Sequence, residues 1–338
     1  MLGAPRVHLL LGVLALGSLL GGGTRAPSSP RLLLHERVAH VDDSTPGSHL
    51  QRIDAAVITT TGQFFLLDAE GARVDMYDND GRFISSVGSP GREPGQFFVP
   101  RSMSVDERGR LEVYDAGTGR VSEYRVAKAG PVLVRSITLV KNGSEVCEMG
   151  NRIYLLSWAK GRIVHVYDGS GREVSSFGEP FRAGTDLVQE TITEGYIHCL
   201  PQRNQVVVSS AALPEVRAYS ATGRMIWSLT LPDFRPLTIR DNSDKSVTFL
   251  KPPGGSNRIL SLFLPSPNIM ALQVGLEEKA GVISDVQDHF FSLRDGKPLG
   301  SDAAPAKVAT ASSSLVLVVD SKSPPAASVF HFALEGIH

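Results

Sequence analysis

Two cysteines, eight histidines downstream of the first 30 residues and a scatter of carboxylates are the groups through which this chain could do chemistry. Cys147 lies twenty residues before Tyr167, and Cys199 lies twenty before Tyr219. Such matched spacing fits a disulfide between equivalent positions, or two buried reduced thiols serving as small core residues. A bridge requires the two Cα atoms to come within ~7 Å. The histidines are His35, His40, His49, His165, His198, His289, His331 and His338, and no two have the His-x-x-x-His spacing of a metal site. Gly-x-Ser-x-Gly is absent, so no nucleophile elbow is encoded. Gly169-Ser170-Gly171 and Pro252-Pro253-Gly254-Gly255 have no following helix to cradle a phosphate and read as turns. Asn142-Gly143-Ser144 matches a glycosylation sequon, relevant only in a eukaryotic secretory pathway. No cofactor site is assembled by these residues.

The elements that must position them repeat four times between Gln51 and Leu231. Each copy has a strand ending in a small polar residue, a turn, a second strand ending in an aromatic, and a Gly-containing turn. The clearest are Phe64–Asp68 with Arg73–Tyr77, Leu111–Asp115 with Arg120–Tyr124, Ile153–Ser157 with Ile163–Tyr167, and Gln205–Ser209 with Val216–Tyr219. The closing tyrosines recur every 43 to 52 residues, the period of propeller blades. The first blade spans Ala55 to Val87, the second Ser102 to about Val134, the third Val146 to Phe177 and the fourth Tyr196 to Leu229. Beyond Leu231 the pattern decays. Ser246–Leu250 and Arg258–Phe263 read as paired strands around the loop Lys251–Asn257. Gly281–Leu293, Leu315–Asp320 and Ala327–Phe332 read as a last blade. About 290 residues at this period give an all-β, six-bladed propeller of four-stranded antiparallel blades. The strand-like Arg31–Val41 would complete the last blade and remove an exposed sheet edge.

On these strands only His198 and His289 fall at inner positions, while His165 lies in mid-strand and reads as a partly exposed neutral side chain. The formal net charge of −1 gives no electrostatic footprint for nucleic acid or an anionic membrane. Arg6, an apolar core from Val7 to Leu20 and small residues ending at Ala26 have the order of a secretory signal. The domain reading is therefore 1–26 signal peptide, 27–50 linker and ring-closing strand, and 51–338 a single propeller. The apolar core is too short for a membrane span. A secreted or periplasmic monomer is expected, in surroundings that permit a disulfide.

Gly88-Ser89-Pro90-Gly91-Arg92-Glu93-Pro94-Gly95-Gln96-Phe97 precedes Pro100, then Met103–Asp106, Gly109 and Leu111–Asp115. This segment resembles the NHL repeat, whose form is Gly-x-Gly-Pro-Gly-Gln-Phe, a proline, a short strand, Asp-x-x-Gly and a strand ending in Asp. The chain looks most like exported six-bladed NHL-type propellers in which one or two blades keep the full motif. Gly91 and Gly95 would let the chain swing from an outer strand to the next inner one. Phe97 would plug the space between blades, and Asp68, Asp115 and Asp320 would cap the turns after their strands. Ser157 and Ser209-Ser210 replace the Asp in the third and fourth blades.

The resemblance implies scaffolds, RNA-binding domains and a few enzymes, so it does not choose among functions. Zinc lyases of this architecture use channel histidines, and only His198 and His289 answer to them here. Lactonase-type propellers hold a cation with oxygen ligands at the channel mouth. The matching repeat positions are Asp54, Arg101, Ser144 and Tyr196, with Arg52, Asn142 and Glu194 two residues earlier. That set is a poor calcium cage and reads as a hydrated polar funnel. No metal ligands are assigned. The expected function is a non-catalytic, exported propeller binding a protein, peptide or carbohydrate at its channel mouth. Arg52, Asp54, Arg101, Glu194, Tyr196 and His198 are the candidate ligand residues. The alternative is a channel-mouth hydrolase or lyase of NHL or lactonase type, metal-dependent or not, using Arg52, Arg101, Glu194 and His198.

Overall fold

The computed structural model describes residues 29–337, apart from 107, 140–142, 183, 243, 245, 313 and 321–323. Residues 1–26, expected to be a signal peptide, and Asn142 and His338 lie outside the described residues. The chain is a six-bladed β-propeller. Strand β1 (Arg31–Val41) comes first in sequence and last in the ring. The first blade is β2 (Ala55–Ile58), β3 (Phe64–Asp68), β4 (Arg73–Tyr77) and β5 (Phe83–Val87). The second is β6 (Pro100–Val105), β7 (Arg110–Asp115), β8 (Arg120–Ala127) and β9 (Gly130–Thr138). The third is β10 (Glu145–Met149), β11 (Arg152–Ala159), β12 (Arg162–Tyr167) and β13 (Glu173–Phe177). Helix α1 (Asp186–Thr193) leads to the fourth: β14 (Gly195–Leu200), β15 (Gln205–Ser210), β16 (Glu215–Ser220) and β17 (Met225–Thr230).

The divergent third of the chain is arranged differently from the sequence expectation. Val247–Leu250 does not pair with the strand after it. It forms β19 of a separate hairpin with β18 (Thr238–Asp241), whose Ile239 and Val247 pack against the core beside α1. The fifth blade is β20 (Ser256–Ser266), β21 (Ile269–Lys279), β22 (Val282–Ser292) and β23 (Pro298–Ala303). The 281–293 segment therefore belongs to this blade and not to the last. The sixth is β24 (Val308–Ser312), β25 (Leu315–Asp320) and β26 (Ala326–Glu335), completed by β1 from Arg31↔Glu335 to Val41↔Ala327. Pairing the first strand with the last fixes the ring, because no blade is left with an unpartnered seam.

Two local devices explain why these residues make blades. Asp78, Asp106 and Asp168 each accept backbone N–H bonds from the residues two and four further on, while Gly81, Gly109 and Gly171 take positive φ at the third position after the aspartate. Ser220 and Gly223 repeat the device in the fourth blade. This Asx-type turn reverses the chain tightly enough for the next strand to pair. The closing tyrosines then wedge between sheets. Tyr77, Tyr124, Tyr167 and Tyr219 are all buried, and the Tyr77 ring stacks on Phe64 at 5.1 Å. Each such ring contributes ~2–3 kcal/mol of apolar burial.

The Gly88–Phe97 corner works the same way between the first and second blades. Phe97 is 1 % exposed and packs where a Cβ on Gly88, at φ +95°, would collide with its ring. Asp115 accepts the N–H groups of Phe98, Val99 and Thr118, and Asp68 those of Gln51 and Gly71. His165, expected to be partly exposed, is fully buried. Its Nδ1 lies 2.8 Å from a Glu173 oxygen, and this partner is what lets a polar ring sit inside the blade.

Candidate functional site

The six inner strands are β2, β6, β10, β14, β20 and β24, each touching the next around a closed ring. They enclose a cavity of about 670 Å³. At its mouth every blade supplies one charged residue at or beside the start of its inner strand: Asp54, Arg101, Glu145, Glu194, Arg258 and Lys307. The walls below are mostly short or apolar side chains, including Val57, Met103, Leu260 and Leu264.

Part of this ring is neutralised internally. Arg101 pairs with Glu194 at 2.9 Å, reaching from the second blade to the residue before the fourth, past the third. Both groups are exposed, so the pair adds little stability but narrows the mouth. Asp54 takes Arg52 Nε at 2.7 Å on one oxygen and the Ala69 N–H at 2.8 Å on the other. Arg52 is exposed and does not line the cavity.

Burial pushes the Glu145 carboxyl up to about 8, partly countered by the Ile197 N–H that it accepts at 2.6 Å. At neutral pH it is predominantly protonated and can donate a hydrogen bond. The Tyr196 hydroxyl donates to the Leu260 carbonyl at 2.7 Å, and burial holds it far above the usual phenol range. Burial lowers His198 to about 4, so its ring is neutral. It lines the cavity without a hydrogen-bond partner among the described residues. Lys307 is lowered by burial, an effect opposed by the charges of Asp54 and Asp320.

The disulfide Cys147–Cys199 joins the inner strands of the third and fourth blades, with Cα atoms 5.6 Å apart. At this point two neighbouring inner strands run close enough for the bond. It fixes the cavity wall directly beside His198.

A second charged cluster lies where the second and third blades meet. Oxygens of Asp106, Glu112 and Glu148 come within 4.8 Å of one another. Arg110 sits among them, 2.6 Å from Asp106 and 3.0 Å from Glu148, and also pairs with Glu123. Its guanidinium already supplies the positive charge that a metal ion would bring. Burial and the adjacent Glu148 carboxylate push Glu112 well above the usual carboxylate range. This is an inter-blade ion-pair network.

The structure thus brings Asp54, Arg101, Glu194, Tyr196 and His198 to one cavity and leaves Arg52 outside it. His289 lies on β22, the third strand of its blade, away from the channel. Glu145, Arg258 and Lys307 escaped the sequence reading. Glu145 follows Ser144 by one residue and was within reach of the repeat register. Arg258 and Lys307 lie where that register is lost. Among the described residues no hydroxyl or thiol is hydrogen-bonded to the cavity-lining histidine.

No family model matches the chain, and no curated protein matches it either. Several solved structures share its fold. A member of the DUF4221 family from Bacteroides vulgatus is similar at a TM-score of 0.60 and 7 % identity, covering 91 % of this chain and 99 % of that one. A protein of Bacteroides fragilis provisionally described as exported gives 0.56 and 9 %, over 93 % and 97 %. A catalytically inactive virginiamycin B lyase variant from Staphylococcus aureus, crystallised with quinupristin, gives 0.50 and 9 %, over 89 % and 99 %. At such identities the likeness is one of architecture: a six-bladed propeller.

Proposed function

We propose that this chain is an exported, monomeric, NHL-like propeller that binds a small molecule or the end of a peptide or glycan in the mouth of its central channel. One observation carries the reading: the cavity is lined by polar groups whose capacity is unspent, above all the partnerless His198 and, elsewhere on the same lining, the proton-bearing Glu145. Concave sites with an apolar wall and a few convergent polar groups are where ligands bind. Among the described residues no helix is long and apolar enough to cross a membrane.

The test is a thermal-shift screen of neutral oligosaccharides, short peptides and small organic acids against the wild type and Ala309→Trp. That substitution adds bulk on the β24 wall of the cavity, where Ala309 also packs against the core between the sixth and first blades, so circular dichroism and a thermal melt must first show the variant folded. A shift seen in the wild type and lost in Ala309→Trp supports the reading. A shift that persists in the filled variant places the ligand elsewhere and overturns it.

A second reading, a channel-mouth hydrolase or lyase, is favoured by Glu145 alone. A carboxyl that stays protonated near neutrality can act as a general acid. Elemental analysis of the purified protein tests its metal-dependent form. A stoichiometric cation lost on Glu194→Ala or His198→Ala would favour the enzyme.

A further inference from the structure

The charges at the channel mouth do not cancel. Glu194 is taken by Arg101, and Asp54 by Arg52 and a backbone N–H. Glu145 is neutral through most of the physiological range. The two remaining cations stand on adjacent blades. Arg258 has Glu277 only at 3.8 Å, and that carboxylate is shared with Lys251 at 3.5 Å and the Gly281 N–H at 2.7 Å. Lys307 has no ion-pair partner among the described residues, although Asp54 and Asp320 act on it from a distance. Both line the cavity, as do the apolar side chains of Leu260, Leu264 and Val57. Both cations are exposed at the rim, so their positive charge is directed at whatever enters the cavity and an anion gains by joining them without first breaking an ion pair to Lys307.

We infer that the channel mouth binds an organic oxyanion, its carboxylate or phosphate held by Lys307 and Arg258 and its apolar body laid against Leu260 and Leu264. This rests on the channel being the ligand site and adds the charge class of the ligand. The protonated Glu145 and the neutral His198 ring provide further hydrogen bonds to such a group without opposing its charge.

The experiment is calorimetric titration at neutral pH with four matched probes: N-acetylphenylalanine, its uncharged amide, the cationic phenylalanine amide, and phenyl phosphate. The expected result is binding of the carboxylate or the phosphate ester and none of the two amides; the better of the two anions tells which oxyanion the site takes. Lys307→Met and Arg258→Met should each weaken the anion at least tenfold, the loss of a charge-assisted hydrogen bond. Arg224→Met, exposed in the outer turn of the fourth blade and outside the cavity, should leave it unchanged, and Lys307→Glu should shift preference to the cationic amide. Equal binding of the neutral amide, blocked by Ala309→Trp, would overturn the anion assignment while keeping the channel as the site. Binding of no probe, or anion binding indifferent to both methionine variants, would also overturn it. Binding insensitive to Ala309→Trp would remove the channel reading itself.

Discussion

Replacing Glu145 with Gln isolates the electrostatic cost of the channel. The variant keeps a carbonyl oxygen to accept the Ile197 N–H but cannot ionise. In the folded protein the carboxyl titrates near 8, against 4.5 in the unfolded chain. Between these values the folded state retains a proton that the unfolded state has released. Wild-type stability must therefore fall as pH rises through this window, by about 1.4 kcal/mol per pH unit for a full difference in protonation. The ceiling is about 5 kcal/mol over the window. Glu145 borders a cavity open to water, so a gain of about 2–3 kcal/mol for the variant is expected at the upper end. Urea unfolding of both proteins at intervals through the window gives the difference directly, since other titrating groups cancel. The two curves should meet in acid, diverge toward pH 8 and run parallel above it. Parallel curves throughout would refute the claim that burial holds this carboxyl protonated.

Three other outcomes follow from packing and covalent structure. Phe97→Ala empties the wedge against Gly88 and should cost ~3–5 kcal/mol, read as a lower denaturant midpoint. Thiol titration of unreduced, denatured protein should find no free thiol, and reduction should cost ~2–4 kcal/mol, because the bridge spans 52 residues of chain. Two titratable thiols would contradict the bridge. Arg110→Met should destabilise by ~3 kcal/mol, because it leaves the buried Glu123 and Glu148 carboxylates to share Arg135 alone. A loss that is undiminished when Glu123 and Glu148 are also replaced by Gln would show that the guanidinium acts through packing.

The first four blades were legible because their information is local. A side-chain-capped turn (Asp in the first three copies, Ser220 in the fourth), a positive-φ glycine and a closing tyrosine recur within each copy, and every strand pairs with its sequence neighbour. The ring-closing Arg31–Val41 was legible from its pattern and position. The fifth blade was not. Its strands run to 11 residues with register shifts at Ile259/Ser261 and Val274/Leu276, and phenylalanines at 290 and 291 stand where a tyrosine would mark the repeat. The β18–β19 hairpin intervenes just where the period would have been counted. Loss of that register also hid Arg258 and Lys307, since a channel position can be assigned only when the blade start is known. His165 was misread because strand alternation does not report whether a polar ring has a buried partner. The cysteines could be aligned from their tyrosines, but the 5.6 Å separation depends on how adjacent inner strands approach.

The claim that the channel mouth is the binding site is tested most directly by hydrogen–deuterium exchange with and without saturating N-acetylphenylalanine. The account predicts slowed exchange at the inner-strand starts that line the mouth, around Ala55, Gly195–Ile197, Arg258 and Val308. Slowing confined to the outer strands β5, β9, β13, β17, β23 and β1, or no slowing at any inner strand, would contradict it.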